Sequence, residues 1–161
     1  MHVEIVEADF EAAAHRAGIL HVLNSYAGDP SGGGEPLSPD VRKRLVPALR
    51  DHPAALVLLA IADGRAVGVA VCFHGFSTFQ ARPLLNIHDL AVIPEWRGKG
   101  VGRALLEATE ARARRSGCCK LTLEVQDSNA RALGLYRSFG FDDLRYGDSG
   151  PTRFLAKPLP G

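Results

Sequence analysis

The 161-residue chain contains 46% hydrophobic and 23% charged residues, so we expect one soluble domain over residues 1–161 that buries its own core. Its formal net charge of +1 excludes a bulk attraction to nucleic acid or to an anionic membrane, so any positive field must be local. The cysteines Cys72, Cys118 and Cys119 lack a C-x-x-C spacing, and no signal peptide or apolar run of ~20 residues is recognisable. We therefore expect a cytoplasmic protein with reduced thiols and no metal.

The N-terminal segment alternates apolar and polar residues over His2–Glu7, which predicts a short strand. The next residues have helical spacing, and we expect a helix over about residues 10–25 that is capped by Asp9. Its predicted buried face carries four aliphatic side chains, Ala13, Ala17, Leu20 and Leu23.

Glycine and proline crowd the segment Gly28–Pro36, which is the least structured stretch by composition. We expect a flexible loop over residues 28–37, and two interpretations stay open: a plain linker, or a loop that borders a substrate pocket. A second helix follows, capped by Ser38 or Asp40, and Pro47 is a candidate break within it.

Three strands are predicted in the middle of the chain. Ala54–Ala62 is a continuous apolar run and indicates a strand buried on both faces. Asp63-Gly64 is a tight hairpin turn, and Ala66–Phe76 is the strand that returns from it. A further apolar run, Leu84–Ile93, predicts the third strand.

Helices and strands alternate in the second half of the chain. We expect a helix over Gly98–Ser116 ended by Gly117, a strand over Lys120–Gln126 and a helix from Asp127 to Phe139. Residues 152–157 are a candidate final strand. This order predicts an α/β (α+β) protein with one mixed sheet.

The segment between the third strand and the next helix has a charge and glycine pattern suited to phosphate. Its glycines alternate with other residues and are flanked by cations, in the order Arg97, Gly98, Lys99, Gly100, Val101, Gly102 and Arg103. Backbone N–H groups at a positive helix start form a seat for phosphate. The spacing fits neither the dinucleotide fingerprint nor a P-loop.

Two blocks of sequence carry a resemblance to a known family. Arg97–Gly102 reads R-x-x-G-x-G and resembles the pyrophosphate-binding motif of the GNAT N-acetyltransferase superfamily. Asn129–Phe141 reads N-x-x-A-x-x-x-Y-x-x-x-G-F and is similar to the second block of that family. The order and separation of the blocks also match over residues 84–141, so the chain is identified as a member of this superfamily.

The resemblance implies a single-domain fold and an acetyl-CoA site. The expected fold has a mixed, mostly antiparallel central sheet with splayed central strands, flanked by about four helices. The pantetheine and thioester carbonyl would lie against the backbone of Leu90, Ala91 and Val92, and residues 97–103 would hold the pyrophosphate. Asn129 would contact the pantetheine arm, so that residues 84–141 form the acetyl-CoA-binding and catalytic half.

The resemblance also implies catalytic roles. Tyr136 would protonate or hydrogen-bond the leaving thiolate. A proton must also leave the incoming ammonium, and His88 and Asp89 are the candidate bases, since imidazole titrates near neutrality. Asp89 as a site for the cationic substrate, Glu124 as the base and a chain of waters remain alternatives.

A weaker resemblance concerns the acceptor. Residues 76–92 are similar to the diamine acetyltransferase branch, except that His88 stands where that branch has glutamate. We expect a small-molecule primary amine as acceptor, such as a polyamine or an amino-acid-like amine. A protein N-terminal or lysine acetyltransferase and a non-catalytic acyl-CoA sensor are the alternatives, and family habit suggests a homodimer.

Overall fold

A computed structural model describes residues 2–161 and contains two compact units, one up to Leu123 and one over Glu124–Gly161. The first unit contains five strands and three helices, namely β1 (Glu4–Glu7), α1 (Ala13–Gly28), α2 (Pro39–Asp51), β2 (Ala55–Ala62), β3 (Arg65–Ser77), β4 (Arg82–Val92), α3 (Val101–Arg115) and β5 (Leu121–Leu123). The second unit contains helix α4 (Ala130–Phe139).

The five strands form one sheet in the order β1-β2-β3-β4-β5. Neighbours pair antiparallel except β4 and β5, which are parallel. The parallel pairing covers only Leu85–Ile87 against Leu121–Leu123, so β4 runs on for several residues after β5 has ended. The predicted mixed, mostly antiparallel sheet with splayed central strands is confirmed.

Helices pack on both faces of the sheet. Buried aliphatic residues of α1 and α2, including Ile19 and Val46, share one core cluster with Val57, Val69 and Ala91. Helix α3 lies on the other face, where small residues of β3 make room for it. A Cβ on Gly68 would lie 3.0 Å from the Val101 side chain, so glycine there permits the close approach of α3.

Two local predictions about turns and caps have clear outcomes. Asp63 and Gly64 both adopt positive φ, at 50° and 74°, which is the geometry of the predicted hairpin turn. Ser38 caps α2 by accepting from the N–H of Val41 at 3.3 Å. Pro47 does not break α2, because it is exposed and packing of neighbouring α2 residues against the core outweighs one missing hydrogen bond.

The predicted buried face of α1 is right for Leu23 and for the partly buried Leu20, and wrong for Ala13 and Ala17. The buried residues are Gly18, Ile19, Val22 and Leu23, while Ala13 and Ala17 are exposed. A Cβ on Gly18 would lie 2.6 Å from the Cβ of Ala66, so the helix approaches β3 through its glycine and the larger side chains beside it enter the core. Asp9 is not the cap either, since Ala12 occupies that position without a side-chain hydrogen bond.

The predicted C-terminal strand is absent from the described part of the chain. Residues 152–157 adopt no regular structure, and the unit over Glu124–Gly161 shows only an isolated bridge between Arg145 and Pro151. Phe154 and Leu155 stay 77% and 84% exposed. A strand pattern needs a neighbouring strand to satisfy its backbone groups, and the alternation of residue types does not supply one.

Candidate active site

A β-bulge interrupts β4 at His88. Val71 pairs with Asp89 and Cys72 pairs with Ile87, so His88 is an extra residue without a partner on β3. A bulge bends its strand and increases the local twist. Ile87 is also the last residue of β4 that pairs with β5, so the two strands part at the bulge.

The bulge brings His88 and Asp89 to one face of the sheet, whereas consecutive residues of a regular strand point to opposite faces. The imidazole of His88 meets the ring of Phe73 edge-on at 5.7 Å, and Phe73 packs against the core beneath α1 and α2. Asp89 stands two residues before Ala91, which belongs to the same core. The two candidate bases are therefore neighbours on the face that carries α1 and α2.

The carboxylate of Asp89 is half-buried. Burial raises the pKa of Asp89, and the charge of His88 opposes that shift. Within residues 2–161 no side chain or N–H group donates a hydrogen bond to this carboxylate. On α1, Tyr26 feels the same charge, because burial first and then Asp89 and Asp29 raise the pKa of its hydroxyl. The bulge thus places a half-buried carboxylate, to which no group among residues 2–161 donates a hydrogen bond, beside the imidazole of His88.

Beyond the bulge, β4 presents backbone groups toward the side on which β5 has ended. The N–H of Ile93 donates to the carbonyl of Val67 at 2.9 Å, and hydrogen-bonded pairs recur at every second residue of an antiparallel ladder. Ala91 therefore directs its N–H and C=O toward β3, while Leu90 and Val92 direct theirs to the open edge. Of the three residues predicted to line the pantetheine, two have the required orientation.

The glycine segment leads into α3 with the geometry of an anion seat. Gly98 and Gly100 adopt positive φ, at 72° and 83°, and Gly100 is the N-cap of α3 without a side-chain hydrogen bond. The first N–H groups of a helix have no partner inside the helix, and that end carries a partial positive charge. Lys99 adds a cation, with its Nζ 5.1 Å from the centre of the Trp96 ring. These residues fit a pyrophosphate.

Arg97 does not direct its guanidinium into this seat. Its Nη2 lies 2.8 Å from Oδ2 of Asp29, and its Nε donates to the carbonyl of Val92 at 3.0 Å. The Arg97 side chain thus joins Asp29 to Val92, and its contact with the pyrophosphate stays a prediction. Of the other predicted residues, Lys99 and Arg103 are exposed, Val101 is buried and Gly102 lies in the first turn of α3.

In the unit over Glu124–Gly161, the second sequence block shapes one helix. Asn129 caps α4, with its Oδ1 accepting from the N–H of Ala132 at 3.2 Å. Gly140 ends the helix with a φ of 106°, and the N–H of Phe141 donates to the carbonyl of Tyr136 at 3.0 Å. The ring of Phe141 then meets that of Tyr136 edge-on at 5.9 Å, which fixes the half-buried Tyr136 side chain.

Three further properties concern the rest of the described chain. Residues 2–161 contain no cluster of three histidine, cysteine, aspartate or glutamate side chains suited to a metal ion. No helix over the same range is long and apolar enough to cross a membrane. Cys72, Cys118 and Cys119 are all free thiols, as predicted, and burial raises the pKa of Cys72 to about 12.

Sequence reasoning missed Tyr26, Asp29 and Phe73. Tyr26 and Phe73 have the spacing of ordinary core residues. Only the fold shows that Asp89 acts on Tyr26 and that the imidazole of His88 lies against Phe73. Asp29 did carry a signal, because aspartate before proline and serine is a common turn former. That signal does not reveal a pairing with Arg97 across 68 residues of sequence, which follows from the fold.

Comparison with known proteins agrees with this geometry. The model of the Acetyltransferase (GNAT) family matches residues 19–141. Aminoglycoside N(6')-acetyltransferase type 1 of Stenotrophomonas maltophilia is 32% identical over 111 residues, which are 67% of this chain and 72% of that protein. Thialysine N-epsilon-acetyltransferase of Bos taurus is 36% identical over 78 residues, or 48% of this chain and 45% of that protein.

A solved structure described as a possible acetyltransferase from Clostridium difficile 630 shares the fold. It superposes with a TM-score of 0.79 at 19% identity and covers 98% of each chain. The family match spans both sequence blocks, and the glycine seat and open strand edge lie within it. The chain belongs to the GNAT acetyltransferase family and is an N-acetyltransferase, an enzyme whose family uses acetyl-CoA as cosubstrate.

Proposed function

We propose that this enzyme transfers the acetyl group of acetyl-CoA to a primary amine of a small cationic molecule, by direct attack in a ternary complex. The observation that carries the proposal is the bulge at His88, which brings an imidazole and a carboxylate together beside the open edge of β4. No group among residues 2–161 donates a hydrogen bond to that carboxylate. Two relatives whose names specify small amines, an aminoglycoside and thialysine, support the acceptor class.

Asp89 attracts and orients the acceptor. An alkylamine has a pKa near ~10.4 and arrives as an ammonium ion at neutral pH. A half-buried carboxylate without a donor attracts such a cation more strongly than an exposed one does, because the local dielectric is low. The phenol of Tyr26 lies within the electrostatic field of this carboxylate.

His88 accepts the proton that the ammonium ion must lose before it can react. Imidazole is a common general base in enzymes, and the edge-on contact with Phe73 at 5.7 Å orients the ring of the exposed His88 side chain. The amine nitrogen then attacks the thioester carbon. The N–H of Leu90 or Val92 on the open edge stabilises the negative charge that develops on the carbonyl oxygen.

Collapse of the tetrahedral intermediate breaks the carbon–sulfur bond and forms the amide. Tyr136 donates a proton to the departing thiolate or hydrogen-bonds it, and the second proton of the attacking nitrogen leaves to solvent. Gly98, Gly100 and Lys99 hold the pyrophosphate, and Asn129 contacts the pantetheine arm with its amide NH₂, since its Oδ1 caps α4. In this proposal the binding and catalytic groups come from residues 84–141, and a homodimer and a cytoplasmic location remain expectations.

The test is acetyl-CoA-dependent turnover with a panel of polyamines, lysine analogues, aminoglycosides and short peptides. Released CoA is separated by chromatography, because the partly exposed Cys118 and Cys119 would consume a disulfide reagent. Tyr136→Phe is run beside the wild type, with Tyr146→Phe as the matched control. We expect turnover with small amines and a kcat about 100-fold lower for Tyr136→Phe alone.

Other outcomes select the alternatives. Turnover with peptides only would make the enzyme a protein N-terminal or lysine acetyltransferase. Binding of acetyl-CoA without turnover on any amine would favour the sensor. Equal kcat in Tyr136→Phe and wild type would remove Tyr136 from the acid role while leaving the reaction in place.

A further inference from the structure

The segment between α1 and α2, predicted as a flexible loop, is tied down by its own hydrogen bonds. Asp29 caps a 3-10 turn over Pro30–Gly32, with Oδ1 accepting from the N–H of Ser31 at 3.0 Å. The N–H of Gly34 donates to the carbonyl of Asp29 at 3.0 Å, and the N–H of Leu37 donates to Oδ1 of Asn24 on α1 at 3.0 Å. Two of these three hydrogen bonds are accepted by Asp29, one by its side chain and one by its backbone carbonyl.

The same carboxylate pairs with the first residue of the glycine segment. Oδ2 of Asp29 lies 2.8 Å from Nη2 of Arg97, and the two side chains are only 18% and 23% exposed. In the other ion pairs described over residues 2–161, the more exposed of the two side chains is at least 48% exposed. A pair so shielded from water interacts more strongly than an exposed one.

Arg97 extends the connection to the open edge of β4. Its Nε donates to the carbonyl of Val92 at 3.0 Å, and that carbonyl points toward the side on which β5 has ended. One guanidinium therefore joins the loop over residues 28–37 to both parts of the acetyl-CoA site, the strand edge and the glycine segment. The planar fork of arginine presents donors to the carboxylate and the carbonyl in a fixed geometry, which the flexible ammonium of lysine does not.

We infer that Asp29 is a positioning residue that couples the 28–37 loop to acetyl-CoA binding, an inference that rests on the proposed function. A ligand on the glycine segment and the strand edge restrains the backbone on both sides of Arg97. The guanidinium then loses its remaining freedom, and Asp29 with its loop is ordered at lower entropic cost. By reciprocity, an ordered loop raises the affinity for acetyl-CoA by the same factor.

The experiment is amide hydrogen exchange over residues 28–37, read by mass spectrometry without ligand and with saturating CoA. The variant is Asp29→Asn, because asparagine also accepts the capping bond from Ser31 but lacks the charge that pairs with Arg97. The matched control is Asp40→Asn, which breaks a pair with Arg44 whose side chains are 71% and 65% exposed. Circular dichroism melting confirms that both variants fold.

We expect CoA to slow exchange in the loop of the wild type and of Asp40→Asn, and to leave it unchanged in Asp29→Asn. The dissociation constant of CoA for Asp29→Asn should rise about tenfold, within the usual range of coupling between sites. The double variant Asp29→Asn with Arg97→Gln should lose little more CoA affinity than either single variant, because both substitutions remove the same ion pair. Asp29→Glu should restore part of the protection.

Protection that survives in Asp29→Asn would overturn the coupling, as would wild-type CoA binding without any slowing in the loop. Failure of CoA to bind the wild type at all would instead refute the proposed function, and the coupling with it. A tenfold loss of CoA affinity in Asp40→Asn as well would show that the loss follows from removing any negative charge, and it would overturn the specific role of the pair with Arg97. Each result therefore separates this inference from the function on which it rests.

Discussion

At the scale of single residues, the role proposed for Asp89 has a cost in stability. Its carboxylate is half-buried without a hydrogen-bond donor, and burial raises its pKa above the ordinary 3.8. The folded state therefore binds the proton more tightly than the unfolded chain does. The stability that this carboxyl contributes is present below its unfolded pKa and is lost as the pH rises through its folded pKa.

Replacing Asp89 should therefore stabilise the fold while it weakens the enzyme. We expect Asp89→Asn to melt about 2–4 °C higher at pH 7.5, which corresponds to about 1 kcal/mol in a chain of this size, with a difference that shrinks toward pH 4. The KM for the amine should rise by about 10- to 100-fold, the usual value of a charged hydrogen bond. Calorimetry and steady-state kinetics measure both, and a lower melting temperature with unchanged KM would contradict this role.

The imidazole of His88 has a different signature. If it is the base that accepts the proton of the ammonium ion, protonation of that base lowers kcat/KM on the acidic side of the pH profile. We expect His88→Gln to lower kcat by about 100-fold and to remove that acidic limb of the pH profile. An acidic limb that persists in His88→Gln would assign it to another group, for which Glu124 and a chain of waters are the candidates.

At the scale of elements, the glycine segment permits a controlled test of backbone geometry. Gly98 and Gly64 have nearly equal φ values of 72° and 74°, so alanine at either position strains the backbone alike, by about 1–2 kcal/mol. Gly98→Ala should weaken CoA binding at least tenfold, because the strained loop no longer aims its N–H groups at the pyrophosphate. Gly64→Ala should lose similar stability yet bind CoA normally in calorimetric titration, and equal affinities of the two variants would count against the seat.

The sequence was a good guide to elements and a poor guide to side-chain contacts. Helix and strand identities from β1 to α4 follow from periodicity and capping, and the glycine segment was located correctly. The buried face of α1 could not be predicted, because it depends on a glycine contact with Ala66. The bulge at His88 was not predicted either. The adjacent polar residues His88 and Asp89 interrupt the strand pattern, but only the register with β3 shows that His88 is the extra residue.

The role of Arg97 illustrates the same limit. A cation beside alternating glycines suggests a phosphate contact, and the motif is equally satisfied when the guanidinium turns toward Asp29 and Val92. Sequence spacing fixes which backbone groups can cradle an anion, because glycine conformations are local. Where a long side chain finds its partner is decided by parts of the chain that are distant in sequence.

At the scale of the whole molecule, the thiols report on global unfolding. Cys72 lies on β3 with no exposed surface, and burial raises its pKa to about 12, so it has neither access nor thiolate at pH 8. We expect iodoacetamide to alkylate Cys118 and Cys119 in the native protein and Cys72 only at the rate of unfolding. Peptide mass spectrometry over time measures this, and early alkylation of Cys72 would show that the sheet opens locally.

We propose that acetyl-CoA binds across the open edge of β4 and the glycine segment. Amide chemical shifts of the ¹⁵N-labelled protein, recorded during a titration with acetyl-CoA, report on this placement residue by residue. We expect large shifts for Leu90, Val92 and residues 98–102, with a smaller one for Ala91, whose N–H is bonded to β3. Saturable binding that leaves the amides of Leu90 and Val92 unmoved would contradict it.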